Sequence, residues 1–319
     1  MNNTYSFTNW VLLFALVIIW GASFVAIKIA ITDITPAWLA ASRILLATIL
    51  MIGFARLTNI RAPSGRAEWG VALVLGVIGT TLPFALIGWA SIFVPSGIAG
   101  LMMATNPILV LLLAIVVLPN EPPTKSRIVG LFVGFLGVAM VIMGRADPQI
   151  SLPIPNTPTQ TGFDWTLLAY LALLFGALGY AINNVASRRA TKMPHATRGY
   201  GALLTATPSA IILAALSEPF PDFFAMHINT LGAIFYLGVL PTWIATLILY
   251  RLIAHTSAGF VAQSNYLVPA TAILLGAWLL GEQLAMIQYL GFGIILLGIG
   301  IAENLLKFTP QRQGPDSRA

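Results

Sequence analysis

Cysteine is absent from this chain and charge is scarce. Without thiols, disulfides and thiolate metal sites are excluded. Charged residues make up 8% of the 319, whereas a soluble globular domain carries roughly 25%. Charge so sparse cannot coat a water-exposed surface of this size, so lipid must be the main solvent. Histidine is nearly missing: His195, His227 and His255 fall in or beside loops, too dispersed for a metal site. There is no G-x-S-x-G nucleophile turn and no carboxylate pair at membrane depth, which argues against a membrane enzyme. Residues 1–9 hold no Lys or Arg, so the positive start of a cleaved signal is missing and the first apolar run is read as a retained spanning helix.

What is present is apolar. Hydrophobic residues reach 58%, and mean hydropathy is +0.89. A bilayer core of roughly 30 Å needs about 20 apolar residues in a helix. Runs of that length lie at 9–31, 36–56, 68–90, 95–118, 125–144, 163–187, 199–217, 228–250, 256–280 and 284–306. The expected fold is therefore an all-α membrane protein of ten transmembrane helices. The net charge of +6 does not point to nucleic acid, because the basic residues sit in short clusters between apolar runs. Cytoplasmic loops collect Lys and Arg. With the N-terminus inside, Arg56, Arg61, Arg66, Lys125, Arg127, Arg188, Arg189, Lys192, Arg198, Arg251, Lys307, Arg312 and Arg318 all fall on the cytoplasmic side, and only Arg145 falls outside. Both termini are expected to be cytoplasmic.

The Pro-rich stretch 145–162, with Pro148, Pro153, Pro155 and Pro158, reads as an external (periplasmic) linker between two five-helix repeats, 1–144 and 163–306, with 307–319 as a cytoplasmic tail. Gly97 and Pro107 match Gly259 and Pro269 at one offset, Asn120-Glu121 matches Gly281-Glu282, and Gly130 and Gly137 fall on Gly291 and Gly298. Pro83 pairs with Pro241, and Gly21-Ala22 with Gly176-Ala177. Five is odd, so the second repeat enters the membrane from the opposite face and the repeats are inverted. Inverted repeats are a common construction of secondary transporters, with the site near the midplane where matched helices are interrupted. The prolines Pro83, Pro107, Pro241 and Pro269 are the candidate helix breaks or hinges.

The motifs Trp20-Gly21-Ala22-Ser23-Phe24 and Pro36-x-x-Leu39-Ala40-x-x-Arg43, then Glu121 with Gly130, Gly134 and Gly137, and Glu282 with Gly291 and Gly298, follow in order on this duplicated frame. In these the chain resembles the drug/metabolite transporter superfamily, specifically its EamA-type ten-helix exporters, and is similar overall to the YddG-like amino acid exporters. The resemblance covers about residues 9–306. It implies export of amino acids, related metabolites or toxic cations from a central cavity between the halves. The second half has no clear counterpart of the Pro-x-x-Leu-Ala-x-x-Arg motif.

Only Lys28 and Arg43 are ionisable within the spans, and a charge in hydrocarbon is costly enough to be a functional suspect. Lys28 lies about a turn from the outer end of its helix, where its stem can snorkel to the interface. Arg43 lies two turns into its span, roughly 10 Å deep by helix rise. It either grips a substrate carboxylate as a bidentate fork or ties down backbone carbonyls. Glu121 and Glu282 end their spans and are placed to cap the helix that follows. Without deep carboxylates a proton relay has no carriers, so transport without obligatory proton coupling is expected.

Neutral groups must then form the site. Proline frees a carbonyl nearby, which points to Thr80 and Thr81 before Pro83, Asn106 before Pro107, Trp243 after Pro241, and Gln263, Asn265 and Tyr266 before Pro269. Asn183 and Trp20 are expected to line the same space. Trp10, Trp38, Trp69, Trp165 and Trp278 sit near span ends, as an interfacial aromatic belt does. The reading is an inner-membrane exporter of amino acids or related small metabolites working by alternating access. The alternatives are multidrug efflux by proton antiport, or a membrane channel. No catalytic residue, metal or cofactor is called for, and the expected partners are a small-molecule substrate and the bilayer, with the protein as a monomer.

Overall fold

The computed structural model describes residues 6–117, 124–144, 164–256, 260–261 and 263–302. Among them no strand occurs. The helices are α1 (Phe7–Ala30), α2 (Pro36–Thr58), α3 (Gly65–Ala90), α4 (starting at Ser96), α5 (Lys125–Met143), α6 (Thr166–Arg189), α7 (His195–Ser217), α8 (starting at Ile228), α9 (Ser264–Leu280) and α10 (Met286–Ala302). The first eight each contain a stretch long and apolar enough to cross a membrane, while α9 and α10 are apolar but have 17 residues each. The linker at 145–162, the tail 307–319, Glu121 and Gly259 lie outside the described residues.

Local chemistry sets the helix ends. Pro36 opens α2, where its missing N–H costs nothing and its fixed φ suits the first turn. Asn59 (φ 55°) and Gly281 (φ 66°) end α2 and α9 in the left-handed conformation. The run read at 199–217 begins earlier, at His195, and the one read at 163–187 continues to Arg189.

Among the described residues two helices widen into π geometry, and proline accounts for both. In α3, Val74–Thr81 is π-helical just before Pro83; in α8, Gly238–Ile244 is π-helical around Pro241, between Ile228–Leu237 and Ala245–His255. A proline ring clashes with the carbonyl four residues back and supplies no N–H to it. Widening the turn relieves the clash, and such π-bulges recur at functional sites. In α4 the change is milder: Met103–Thr105 is a 3-10 turn between Ser96–Met102 and Asn106–Val117, so Pro107 enters at the second residue of a new helical segment. Pro269 corrects the expectation of a break, because α9 runs through it. The carbonyl deprived of its partner belongs to Asn265, an exposed residue in the first turn, where the backbone needs no rearrangement.

The main buried cluster joins the two halves: Phe24, Leu101, Met102 and Val141 pack with Tyr170, Leu173, Leu237, Ile273 and Ile295. Helices α5 and α10 lie closest. A methyl group on Gly137 would stand 2.6 Å from the Gly291 carbonyl, and one on Gly298 would stand 2.5 Å from the Gly134 nitrogen. Small residues permit such backbone approach, the usual basis of helix packing in lipid. Outward-facing positions are large and apolar, as at Phe132, Phe175 and Trp278.

Candidate functional site

Residues 31–35, 91–95, 218–227 and 281–285 connect helices at the face expected to be outer. There three carboxylates each bind the start of a helix in the other half. Glu282, 5% exposed, accepts from Ser96 N–H (2.7 Å), Ser96 Oγ–H (2.7 Å) and Gly97 N–H (3.0 Å) at the start of α4. Glu218 accepts from Ala37 N–H (3.0 Å) and Trp38 N–H (3.2 Å) at the start of α2. Asp33 accepts from Thr230 Oγ–H (2.6 Å) and His227 N–H (3.0 Å) at the start of α8, beside the His227 ring. A carboxylate at a helix N-terminus satisfies orphan donors and favours the helix dipole. The Thr230 hydroxyl, with the His227 backbone N–H and ring, holds the Asp33 carboxyl below its ordinary value against the opposing pull of partial burial.

Two sequence expectations are corrected here. Glu282 caps α4 across the molecule and not the helix that follows it, because the left-handed turn at Gly281 aims its carboxylate away from α10. Lys28 does not snorkel: it is 3% exposed, and its ammonium donates to the carbonyls of Ser91 (2.7 Å) and Val94 (3.1 Å). Those carbonyls belong to the turn between α3 and α4, so Lys28 and Glu282 both hold that connection, Lys28 at residues 91 and 94 and Glu282 at residues 96 and 97. A cavity of about 380 Å³ opens at this face beside Lys28, Thr32, His227, Asn229 and Thr230. Of the belt tryptophans, Trp278 is well exposed, while Trp38 sends its indole N–H to the Glu218 carbonyl.

Deeper in, the two π segments converge on α2. Arg43 is 5% exposed, and its Nε and Nη2 donate to Thr242 Oγ1 at 3.2 and 3.1 Å. Its Cζ lies 3.9 Å from the centre of the Phe84 ring, one residue beyond Pro83. Thr242 in turn donates through its hydroxyl to the Leu237 carbonyl (2.7 Å), four residues before Pro241, to which the proline ring can supply no N–H. The equivalent orphan in α3 is the Gly79 carbonyl, four residues before Pro83, and Asn183 Nδ2 takes it at 3.2 Å. In both halves a side chain captures the carbonyl that proline frees.

Of the residues singled out from the sequence, Trp20 Nε1 donates to the Pro241 carbonyl (3.2 Å), tying α1 to the π segment of α8. Thr80 bonds its own helix at the Leu75 carbonyl (2.9 Å). Thr81 is buried against α7, bonded to the Ala206 carbonyl and to Ser209. Asn106 accepts from Asn184 Nδ2 at 3.3 Å, an exposed pair. Tyr266 is half-buried against the main core. Among the described residues, the side chains of Gln263 and Asn265 make no hydrogen bond, and Asn265 is exposed. Trp243 packs edge-on to Phe54 at 6.2 Å between ring centres, with its indole nitrogen buried and unpartnered. Thr81 and Asn183 are thus spent on packing and on a freed carbonyl. Arg43, Gln263, Asn265 and Trp243 retain unused donors or acceptors.

Sequence reasoning missed Phe84 and the caps by Glu218 and Asp33. Phe84 follows Pro83 directly and was detectable as an aromatic beside a helix break. The other contacts join residues far apart in sequence and leave no local signal. Among the described residues no group of three or more His, Cys, Asp or Glu is placed to hold a metal.

Residues 8–143 and 167–302 each match the EamA-like transporter family, so one family unit occurs twice. The chain is 26% identical over 288 residues to the uncharacterized inner membrane transporter YedA of Escherichia coli (strain K12), covering 90% of this chain and 88% of that one. It is 23% identical over 305 residues to a probable amino-acid metabolite efflux pump of the same organism, covering 91% and 93%. A solved crystal structure of another protein shares the fold, with a TM-score of 0.62 at 19% identity over 93% of this chain and 97% of that one.

Proposed function

The chain belongs to the EamA-like transporter family, and from that premise we propose that it exports amino acids or closely related small metabolites across an inner membrane. The observation that carries this reading is the junction at Arg43, where a buried cation meets Thr242 in the π segment of α8 and Phe84, just beyond the π segment and Pro83 of α3, one contact from each half. Irregular backbone at membrane depth is tolerated only within protein or beside water, so this junction is where a polar solute finds donors and acceptors. Arg43 and Trp243 are its binding groups and Trp20 and Phe84 its surroundings, while Gln263, Asn265 and Asn106 are assigned to the route that leads to it from the starts of α9 and of the second segment of α4.

On this reading the ten helices all span the membrane, the halves are inverted repeats, and both termini are cytoplasmic. The caps by Glu282, Glu218 and Asp33 tie the halves together at the outer face, which supports an outward-closed conformation. The substrate then enters from the cytoplasm, and release requires these ties to part as the halves rock about the π segments. The absence of carboxylates from the depth of the spans favours transport down a gradient without obligatory proton coupling. The amino-acid efflux named for the Escherichia coli relative agrees with a site that offers a fixed cation.

Purified protein in liposomes tests this. Loaded amino acids should leave down their gradient with or without a pH difference, and Gln263→Ala and Asn265→Ala should slow them severalfold while the protein stays folded. Concentrative transport that requires a pH gradient would refute the uncoupled reading, and wild-type rates in both variants would move the route elsewhere.

A further inference from the structure

Resting on the reading above and deepening it, we propose that Arg43 grips the substrate's carboxylate, so that the site accepts amino acids and other small carboxylates and rejects their amides and organic cations. Charge is the starting point. A guanidinium inside the spans is costly unless an anion or a full set of acceptors compensates it. Among the described residues no carboxylate pairs with Arg43. Its acceptor is one neutral hydroxyl, Thr242 Oγ1.

The donors that remain point to a carboxylate. A guanidinium has five N–H groups in a planar fork. Two are committed to Thr242, one from Nε and one from Nη2. That leaves the second Nη2 hydrogen and both on Nη1, and the Nη1–Nη2 edge is the one that meets two carboxylate oxygens in parallel. Thr242 cannot swing away to release the arginine, since its hydroxyl hydrogen is engaged with the Leu237 carbonyl that Pro241 freed. Phe84 covers one face of the guanidinium, so a ligand approaches in the plane, edge-on.

The surroundings also set what is refused. An organic cation gains nothing from a fixed guanidinium and is repelled by it. An α-ammonium group is different, because it arrives with its own carboxylate and can rest against aromatic faces. Lys28, the other cation that the sequence places within the spans, is not an equivalent site. Its ammonium is held by two carbonyls and feels the charge of Glu282.

The test is exchange by purified protein in liposomes, using leucine, phenylalanine and threonine, each against its carboxamide, and tetraethylammonium as the cation. Wild type should exchange at least one acid about tenfold faster than its amide, the scale of losing one good charge-assisted contact. Arg43→Lys, which keeps charge but loses the fork, should slow the acid several-fold, and Arg43→Gln should slow the acid about tenfold more than the amide, so that the ratio of acid to amide rates falls to near one. Melting curves confirm folding of each variant. If Arg43→Gln slows acid and amide by the same factor, or if wild type carries acids, amides and tetraethylammonium alike, the assignment of Arg43 is overturned while the transporter reading stands. If none of the panel exchanges, both fall.

Discussion

Substitution of Glu282 by Gln should open the outer face. The carboxylate receives three hydrogen bonds at the start of α4, at 2.7, 2.7 and 3.0 Å, from a position 5% exposed. Hydrogen bonds to a charged group contribute about 1.5–3 kcal/mol each, and neutral ones nearer 1 kcal/mol. Glutamine keeps one acceptor oxygen and no charge, so at least one bond is lost and the others weaken. Lys28 loses its nearby counter-charge as well. A net loss of about 2 kcal/mol is a conservative figure, corresponding to roughly a 30-fold shift in population. On the proposed outward-closed reading the ties part when the outer face opens, so the shift should favour the open form. The native chain has no cysteine, so Met103→Cys, in the 3-10 turn of α4, gives a single reporter without further engineering. Its reaction with a membrane-impermeant maleimide added outside whole cells should accelerate about tenfold or more in Glu282→Gln, as the population shift dictates. Gly276→Ala disturbs the same latch independently, because its methyl would press against Glu282 Oε2 and Ser96 Oγ. Equal labelling, within twofold, of the parent and both variants would refute the latch.

Two further predictions concern stability. Gly137→Ala should lower the melting temperature in detergent, because the methyl meets the Gly291 carbonyl at 2.6 Å and the Ile295 nitrogen at 2.7 Å; overpacking of this kind costs about 1–3 kcal/mol, and an unchanged melting temperature would contradict the close α5–α10 packing. Asp33 has its carboxyl held below the ordinary value near 3.8, so its contribution is complete above that value and is lost as pH falls through the depressed one. Melting curves should therefore show a decline in strongly acid solution that is smaller in Asp33→Asn, which already lacks this charge but keeps the caps by Glu218 and Glu282.

Much of the frame was legible because lipid imposes simple rules. Sparse charge and long apolar runs marked the spans, and Pro83 and Pro241 marked the two helices that become π-helical, since proline's missing N–H acts locally. Pro269 misled for the same local reason: near a helix start the missing bond is cheap, and nothing in the residue type says so. Partners were illegible. Asn183 reaches Gly79 across 104 residues, and Glu282 reaches Ser96 across 186. The carboxylate of Glu282 was assigned to the next helix because sequence shows only neighbours, whereas the turn at Gly281 decides where it points. Arg43 was visible as a buried charge. That its partner is a lone threonine, leaving the fork's outer edge free, emerges only when α2 and α8 are brought together.

The central claim is that a carboxylate-bearing solute occupies one site that faces each side in turn. Counterflow measures this most directly. Liposomes holding purified protein are loaded with an unlabelled amino acid, and entry of a trace of the same labelled compound is followed. A carrier returns loaded faster than empty, so preloading should accelerate early uptake several-fold and produce a transient overshoot, and Arg43→Gln should abolish it. Uptake that is the same with empty and loaded liposomes, rising without overshoot to simple equilibrium, would mean an open pore and contradict the account.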